Sequence, residues 1–206
     1  MSDIVRTLHY EQPPVNRQEV LRYMGCREVT DEMLALVETC MSMAKEAFDF
    51  RVCYTGTFVR VEGDRVDLGF ARVNSHALAL NLKDCSRAVI FGATVGLEID
   101  RLITKHGRLS PAKGLCLQAL GAERIEALCD LFNGEIMSRE AEAGNTTRPR
   151  FSPGYGDAPL ELQRHMFAVL DVPRRIGVSL NDSLLMSPSK SVTAIIGIKE
   201  KKEETS

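Results

Sequence analysis

The chain has 206 residues, of which 44% are hydrophobic and 26% are charged, a balance typical of a globular protein with one core. Its 26 basic and 28 acidic residues give a formal net charge of -2, so no overall positive field attracts nucleic acid or an anionic membrane. Apolar runs such as 88–93 and 192–198 are far shorter than the roughly 20 residues that cross a bilayer, so no membrane-spanning helix is expected.

Two capped helices are predicted first along the chain. Asn16, with Glu19 three residues later, predicts a capping box that opens a short helix over 17–23. Thr30 predicts the cap of a second helix over about 31–48, where apolar residues recur at three- and four-residue steps.

The middle of the chain mixes strand and helix patterns. β-Branched and aromatic residues over 54–61, turn residues at 62–64 and renewed alternation over 65–70 predict a β-hairpin. The next predicted elements are a helix over 75–82, a buried strand over 87–94 and a helix over 97–106.

The second half begins with a clear helix start. Ser110 followed by Pro111 predicts one long helix that ends near Glu142. A helix over 160–170, a strand over 175–180 and a strand over 191–198 follow.

The order of these elements predicts the fold class. Strands and helices do not alternate strictly, and the hairpin at 54–70 requires antiparallel pairing. We therefore predict an α+β fold with a single domain over 1–198, built from a twisted, mainly antiparallel sheet flanked by helices. The remaining residues, 199–206, are predicted to form a charged and disordered tail.

Common catalytic and phosphate-binding motifs are missing from the sequence. It contains no Gly-x-Gly-x-x-Gly, no Gly-x-x-x-x-Gly-Lys-Ser/Thr and no Gly-x-Ser-x-Gly. The four histidines show no His-x-x-x-His spacing, so neither a metal site nor a catalytic residue is predicted. Six dispersed cysteines favour reduced, buried thiols, and with an N-terminus unlike a secretory signal they predict a cytoplasmic protein.

One segment brings a cation, a rigid turn and an aromatic ring close together. Pro153 fixes φ and Gly154 lacks a Cβ atom, so the backbone from Ser152 to Gly154 can approach a ligand closely. The guanidinium of Arg150 suits a carboxylate, and the ring of Tyr155 suits an adenine or a sulfonium cation. The segment fits an amino-acid nucleoside, although an ordinary Pro-Gly turn remains the alternative on local chemistry.

A second segment adds a family resemblance. The motif Arg150-x-Ser-Pro-Gly-Tyr155 precedes Gly177-x-x-Leu-x-x-Ser183-x-x-Met186-x-Pro188-x-x-Ser191-Val192. In order and spacing, the two motifs resemble the C-terminal activation domain of cobalamin-dependent methionine synthase. Upstream, Glu126 on the long predicted helix resembles the ligand-binding glutamate of that family.

The sequence also departs from the family pattern. Phe151 replaces the proline that commonly follows the arginine, and Ser187 replaces the tryptophan that often follows the methionine. The likeness is faint before residue 85, so the family's N-terminal aspartate has no counterpart assigned here. For Ser183, Met186 and Ser191, packing near the site remains the alternative to ligand contact.

The resemblance implies a role in reductive methylation of cobalamin. In that reaction a flavodoxin or ferredoxin supplies an electron, and S-adenosylmethionine then methylates the cobalt. Arg150 is implied to bind the ligand's carboxylate, Glu126 its ammonium, and the backbone of 152–154 its adenine or ribose, with Tyr155 beside the ligand. None of these residues acts as a catalytic acid or base, because positioning is the whole contribution.

The cobalamin is implied to be carried by a partner, a corrinoid-binding methionine synthase that lacks its own activation domain. The chain is then a subunit of a cobalamin-dependent methyltransferase rather than an enzyme alone. The alternative is a non-catalytic S-adenosylmethionine-binding sensor or scaffold of the same fold. An independent methyltransferase is less favoured, because the glycine-rich loop of the common methyltransferase fold is missing. Every version requires a cavity beside Tyr155 and excludes an Arg150 that is buried against an internal acid.

Overall fold

The computed structural model describes residues 4–201, which form ten strands and seven helices. In chain order the strands are β1 (Arg6–Tyr10), β2 (Phe50–Phe58), β3 (Arg60–Glu62), β4 (Arg65–Asp67), β5 (Arg72–Asn74), β6 (Arg87–Thr94), β7 (Thr146–Thr147), β8 (Ser179–Leu180), β9 (Met186–Ser187) and β10 (Ser191–Lys199). The helices are α1 (Arg17–Tyr23), α2 (Asp31–Ala44), α3 (His76–Asn81), α4 (Glu98–Gly107), α5 (Pro111–Glu142), α6 (Leu162–Leu170) and α7 (Val172–Ile176).

A five-stranded antiparallel sheet forms the centre of the fold, in the order β1-β2-β6-β10-β7. Side chains alternate between its faces, so Val89 and Phe91 join a core with α1, α2 and α5, whereas Ala88 and Ile90 join a core with α3, α6 and α7. Because both faces are covered, β6 reads as a continuous apolar run. The predicted α+β fold with an antiparallel sheet between helices is confirmed.

Side-chain caps start α1, α2 and α5 where the sequence predicts them. Thr30 accepts a hydrogen bond from the backbone of Met33, and Ser110 accepts one from Lys113. Asn16 accepts hydrogen bonds from Gln18 and Glu19, as a capping residue should. The second half of the predicted capping box is wrong, because the Asn16 N–H donates to the carboxylate of Glu123 on α5 at 3.0 Å.

The predicted hairpin at 54–70 is wrong in its first half. Residues 54–58 belong to β2, which pairs along its whole length with β1 or β6 in the central sheet. The chain breaks from this strand at Val59, whose N–H donates to the carbonyl of Ser86, and the hairpin forms between β3 and β4. A local turn pattern could not reveal that residues 54–58 are the end of a longer strand that begins at Phe50.

The strand predicted over 175–180 begins too early, because residues 175 and 176 belong to α7 and only 179–180 form a strand. Pro173 lies in the first turn of α7, a position that tolerates proline, and Gly177 ends the helix with φ of 71°. The extended chain left over is the two-residue strand β8. Strands β1 and β7, on the two edges of the sheet, were not predicted at all.

The C-terminal strand is longer than the sequence predicts. Lys199 still pairs with Thr146 in β7, and the carboxylate of Glu200 accepts hydrogen bonds from Ser86 and Arg87 at 2.6 Å each. Strand β10 therefore extends one residue past the predicted boundary at 198. Residues 202–206 of the predicted tail lie outside the described residues.

A buried arginine connects the N-terminal segment to α5. Arg124 is fully enclosed, and its guanidinium donates to the carboxylate of its neighbour Glu123 and to the backbone carbonyls of Pro13 and Pro14. A buried cation is tolerated when charge and hydrogen bonds surround it in this way. The segment before α1 is therefore part of the folded core.

Two glycines bring α4 and α5 close together. A Cβ atom built on Gly114 would lie 2.7 Å from the Cα of Gly107, so the two backbones are in direct contact.

All six cysteines are free thiols, and five of them are buried. Within residues 4–201, none of the helices is both long and apolar enough to cross a bilayer.

Candidate functional site

The segment after Arg150 is fixed against the edge of the central sheet. The N–H of Phe151 donates to the carbonyl of Ile195 at 2.9 Å, and the N–H of Ile195 donates back at 2.8 Å. This single bridge holds the chain beside β10 and then releases it into a turn. The space between that turn, β10, α5 and α6 is a cavity of about 410 Å³.

The size of the cavity fits a small organic ligand, since such sites commonly measure about 300–1,000 Å³. Its wall combines charged, hydroxyl, amide and aromatic side chains. The lining residues are Glu126, Arg150, Phe151, Ser152, Pro153, Tyr155, Gln163, Met186, Ser191, Val192 and Thr193.

Arg150 supplies the positive charge of the cavity and forms two ion pairs with α5. Its Nη2 donates to Oε2 of Glu126 at 2.5 Å, and its Nη1 donates to Asp130. Partial burial works against its charge, but the hydrogen bond from Arg150 to Asp130 and the nearby carboxylates raise the pKa of Arg150 above its ordinary value. The guanidinium is a fixed cation with an acid on each side.

Ligand binding requires a cavity beside Tyr155 and is excluded if Arg150 is buried against an internal acid. Arg150 does pair with internal acids, but a quarter of its side chain stays exposed. Glu126 lines the same cavity, whereas Asp130 lies outside the cavity wall. The cavity beside Tyr155 is present, so the condition that would exclude a site is not met.

The turn from Ser152 to Asp157 is attached to helix α3. The carboxylate of Asp157 accepts hydrogen bonds from the Ser75 hydroxyl at 2.5 Å and from the N–H groups of His76 and Ala77 at 2.7 and 3.0 Å. These bonds, with the Ser75 hydroxyl bond the largest cause, lower the pKa of Asp157 to about 2. One carboxylate thus fixes the turn that forms one side of the cavity.

Two residues of the turn play different parts. Gly154 has φ of 88°, a conformation that favours glycine, and its N–H donates to the carbonyl of Ala158 at 3.1 Å. Tyr155 lies at the rim of the cavity with 69% of its surface exposed. The tyrosine ring is available to a ligand, whereas the glycine shapes the turn.

The structure brings most of the predicted binding residues together. Glu126, Arg150, Ser152, Pro153 and Tyr155 all line the cavity, whereas Gly154 is an exposed residue of the same turn outside the wall. Of the second motif, Met186 and Ser191 line the cavity, while Ser183 is an exposed loop residue outside it.

Sequence reasoning missed two polar residues of the wall, Gln163 on α6 and Thr193 on β10. A signal for Gln163 existed, because it lies on the apolar face of its helix at helical spacing from Met166 and Phe167. Thr193 gave a weaker signal, since threonine is common in strands.

The cavity differs from a metal site in the groups that it offers. Across the described part of the chain, no three or more His, Cys, Asp or Glu side chains come together in an arrangement that could hold a metal ion. The cavity instead offers one cation, one anion, hydroxyls, an amide and two aromatic rings. Such a set suits a zwitterionic organic molecule with a polar, partly aromatic body.

Comparison with known proteins places the fold. Neither the protein-family models nor the curated proteins include a match to this sequence. A solved structure of the MetH reactivation domain bound to AdoHcy matches with a TM-score of 0.72 at 13% identity, covering 98% of this chain and 80% of that chain. The chain has the fold of the MetH reactivation domain.

The match confirms the fold predicted from the two motifs. The curled antiparallel sheet with flanking helices is common to this chain and the MetH reactivation domain. At 13% identity the likeness is one of fold, so ligand and partners must be argued from the residues of the cavity.

Proposed function

We propose that this chain binds S-adenosylmethionine and its product S-adenosylhomocysteine, and supports reactivation of the cobalamin of a methionine synthase or related corrinoid protein in trans. The observation that carries the proposal is the pairing of Arg150 with Glu126 in the wall of a ligand-sized cavity. The fold adds support, because the matching MetH reactivation domain was solved with AdoHcy.

The amino-acid end of the ligand matches this pair of opposite charges. The ligand's carboxylate would pair with Arg150 and its ammonium with Glu126. These two ion pairs would replace the one between Arg150 and Glu126, so no buried charge would be left unpaired. Asp130 lies outside the cavity and keeps its hydrogen bond to Arg150, so the guanidinium stays oriented during the exchange. A ligand that carries only a carboxylate would take the Nη2 side of Arg150 and leave Glu126 without its ion-pair partner.

The nucleoside end matches the turn and the ring. Pro153 is buried and Ser152 half-buried in the cavity wall, which brings their backbone close to a bound ligand. The exposed face of Tyr155 offers a surface for an adenine ring or for the sulfonium cation. Tyr155 is the residue that we place nearest the reacting methyl group.

Methyl transfer from such a ligand needs orientation more than acid-base chemistry. When the carbon–sulfur bond breaks, its electron pair stays on sulfur, and the resulting thioether takes no proton. Cobalamin bound to a partner supplies the methyl acceptor, and a flavodoxin or ferredoxin supplies the electron. The residues of this chain hold the donor with its methyl group towards the open side of the cavity.

The partner that fits this arrangement is a methionine synthase without its own activation domain. Leu185, which precedes Met186 of the cavity wall, is largely exposed, and together with Tyr155 it offers apolar surface near the cavity. Ser187 stands where the family motif often has tryptophan, so contacts to the corrinoid would differ from the common pattern. The encounter proposed here is transient and cytoplasmic.

Binding is tested by calorimetry on the purified chain. Saturable binding of S-adenosylhomocysteine and S-adenosylmethionine is expected, with much weaker binding of adenosine and of homocysteine alone, because each carries only half of the recognised groups. Equal affinity for adenosine would contradict a role of Arg150 and Glu126 in recognition. The absence of binding by all four compounds would end the proposal.

Reactivation is tested separately by reconstitution. A corrinoid methionine synthase lacking its activation domain is mixed with flavodoxin, reductant and S-adenosylmethionine, and methylcobalamin is followed by its absorbance with and without this chain. Formation that depends on the chain is expected. If the chain binds the ligand while no methylcobalamin forms with any synthase that accepts an activation domain in trans, that result would favour the sensor or scaffold.

A further inference from the structure

Two buried polar side chains in the cavity wall take no part in the charge recognition proposed above. Gln163 and Thr193 both line the cavity, with 8% and 2% of their surfaces exposed. Oε1 of Gln163 and Oγ1 of Thr193 have no hydrogen-bond partner among residues 4–201. Seven buried side-chain atoms lack a hydrogen-bond partner among the described residues, and these two are the ones that lie in the cavity wall, where a ligand could supply the missing hydrogen bond.

These side chains lie in a different part of the cavity from the ion pair. Thr193 shares its face of the sheet with Ile195, which packs in the core beneath α6, the helix of Gln163. Glu126 is on α5, which covers the opposite face. The cavity therefore extends around the edge of β10 and has a charged part and a neutral part.

The backbone of β10 adds polar groups to the neutral part. Ile195 directs both its N–H and its carbonyl away from β6, towards Phe151. In an antiparallel strand these directions alternate, so Thr193, two residues away, directs its own N–H and carbonyl to the same open edge. Donors and acceptors are thus concentrated around Thr193 and Gln163.

We propose that Gln163 and Thr193 are specificity residues that hydrogen-bond the adenine edge of the ligand, an inference that rests on the proposed function. The unpaired Oε1 of Gln163 requires an N–H or O–H donor. Arg150 and Glu126 engage the amino-acid end, so the donors left over belong to the nucleoside. A glutamine amide matches the amino group and neighbouring ring nitrogen of adenine, a pairing also used to read adenine in DNA. The terminal torsion of glutamine is soft, so Oε1 can turn to meet that amino group.

The test compares S-adenosylhomocysteine with its inosine analogue, in which oxygen replaces the adenine amino group, by calorimetry on the full chain. The variants are Gln163→Met, which keeps length but removes the amide, and Thr193→Val, with Thr193→Ser as its matched control. Gln163→Met is expected to weaken S-adenosylhomocysteine about tenfold and to leave the inosine analogue nearly unchanged. Thr193→Val is expected to weaken S-adenosylhomocysteine binding, and Thr193→Ser to preserve it.

Thermal unfolding of the same variants without ligand separates recognition from packing. Because each apolar variant removes an unpaired buried atom, its melting temperature is expected to equal or exceed that of the parent chain. If Gln163→Met fails to fold, Gln163→Glu retains an acceptor at the same reach and is expected to keep the preference for the amino group.

Other outcomes would overturn the inference. Equal losses for both ligands, or none for either, would show that Gln163 does not read adenine. If Gln163→Met weakens S-adenosylhomocysteine but not its 3′-deoxyribose analogue, the side chain contacts the ribose and the adenine assignment is rejected. If the parent chain binds neither ligand, the proposed function itself fails.

Discussion

Glu126 and Arg150 are 24 positions apart in the sequence, yet Oε2 of the first lies 2.5 Å from Nη2 of the second. The long helix α5 carries the acid, and the bridge from Phe151 to Ile195 holds the arginine opposite it. Their contact places both signs of charge in the wall of one cavity.

Replacement of Arg150 by alanine is expected to weaken S-adenosylhomocysteine binding more than tenfold, or about 1.4 kcal/mol, because the ligand's carboxylate loses its partner. Calorimetry on the purified variant measures the change. Arg148→Ala is the matched control, since Arg148 lies two residues away and donates to the carbonyl of Lys83 outside the cavity. Unchanged affinity in Arg150→Ala would remove the assignment.

Glu126→Gln keeps the shape of the side chain and removes its charge. Affinity for S-adenosylhomocysteine is expected to fall, whereas affinity for an analogue without the α-amino group should change little, because that analogue has no ammonium to pair. Asp130→Asn is the control, since Asp130 contacts Arg150 from outside the cavity. Its effect should be smaller and equal for the two ligands.

The role of Tyr155 is divided between ring and hydroxyl by two variants. Tyr155→Phe is expected to bind S-adenosylhomocysteine almost as the parent does, while Tyr155→Ala should bind several-fold less tightly because the aromatic face is lost. Since the side chain is exposed, neither variant should change the melting temperature appreciably. Similar affinities of all three proteins would place the ligand away from the ring.

Asp157 is expected to stabilise the fold through its ionised form. Its pKa is lowered from 3.8 to about 2 in the folded chain, so this contribution is complete above about pH 3.8 and is lost as the pH falls towards 2. Asp157→Asn should flatten that part of the acid-unfolding curve, which circular dichroism can follow. At neutral pH the variant should also bind ligand less tightly, because the turn loses its attachment to α3.

Two glycines on α5 provide a matched pair for the packing of the fold. Gly114→Ala is expected to lower stability, since the new Cβ would lie 2.7 Å from the backbone of Gly107. Gly134→Ala has open space around its Cβ and should raise stability by roughly 0.5–1 kcal/mol through helix propensity. Urea titrations measure both changes, and a stable Gly114→Ala protein would contradict the close contact.

Local chemistry was enough to predict helices α1 to α6 and the main features of the candidate site. The Ser110-Pro111 start and the cap at Thr30 depend on neighbouring residues alone, and the structure confirms both. The cavity segment was found because Arg150 and Tyr155 lie close together in sequence.

Long-range pairing decided the elements that the sequence did not reveal. Strand β1 is paired with β2, more than forty positions later, and its pattern of half-buried residues is weak by itself. Gln163 and Thr193 come together from separate elements on one face of the sheet, and no local spacing records that meeting. The ion pair between Arg150 and Glu126 arises in the same way.

Arg124 sets a limit on how the protein can be shortened for experiments. Its enclosed guanidinium depends on the carbonyls of Pro13 and Pro14, which precede the first helix and contribute no side chain to the cavity. Removing those prolines would leave two buried N–H donors of the guanidinium without acceptors, at roughly 1–3 kcal/mol each, although the ion pair with Glu123 would remain. Shortened proteins made for binding assays should therefore begin well before Pro13.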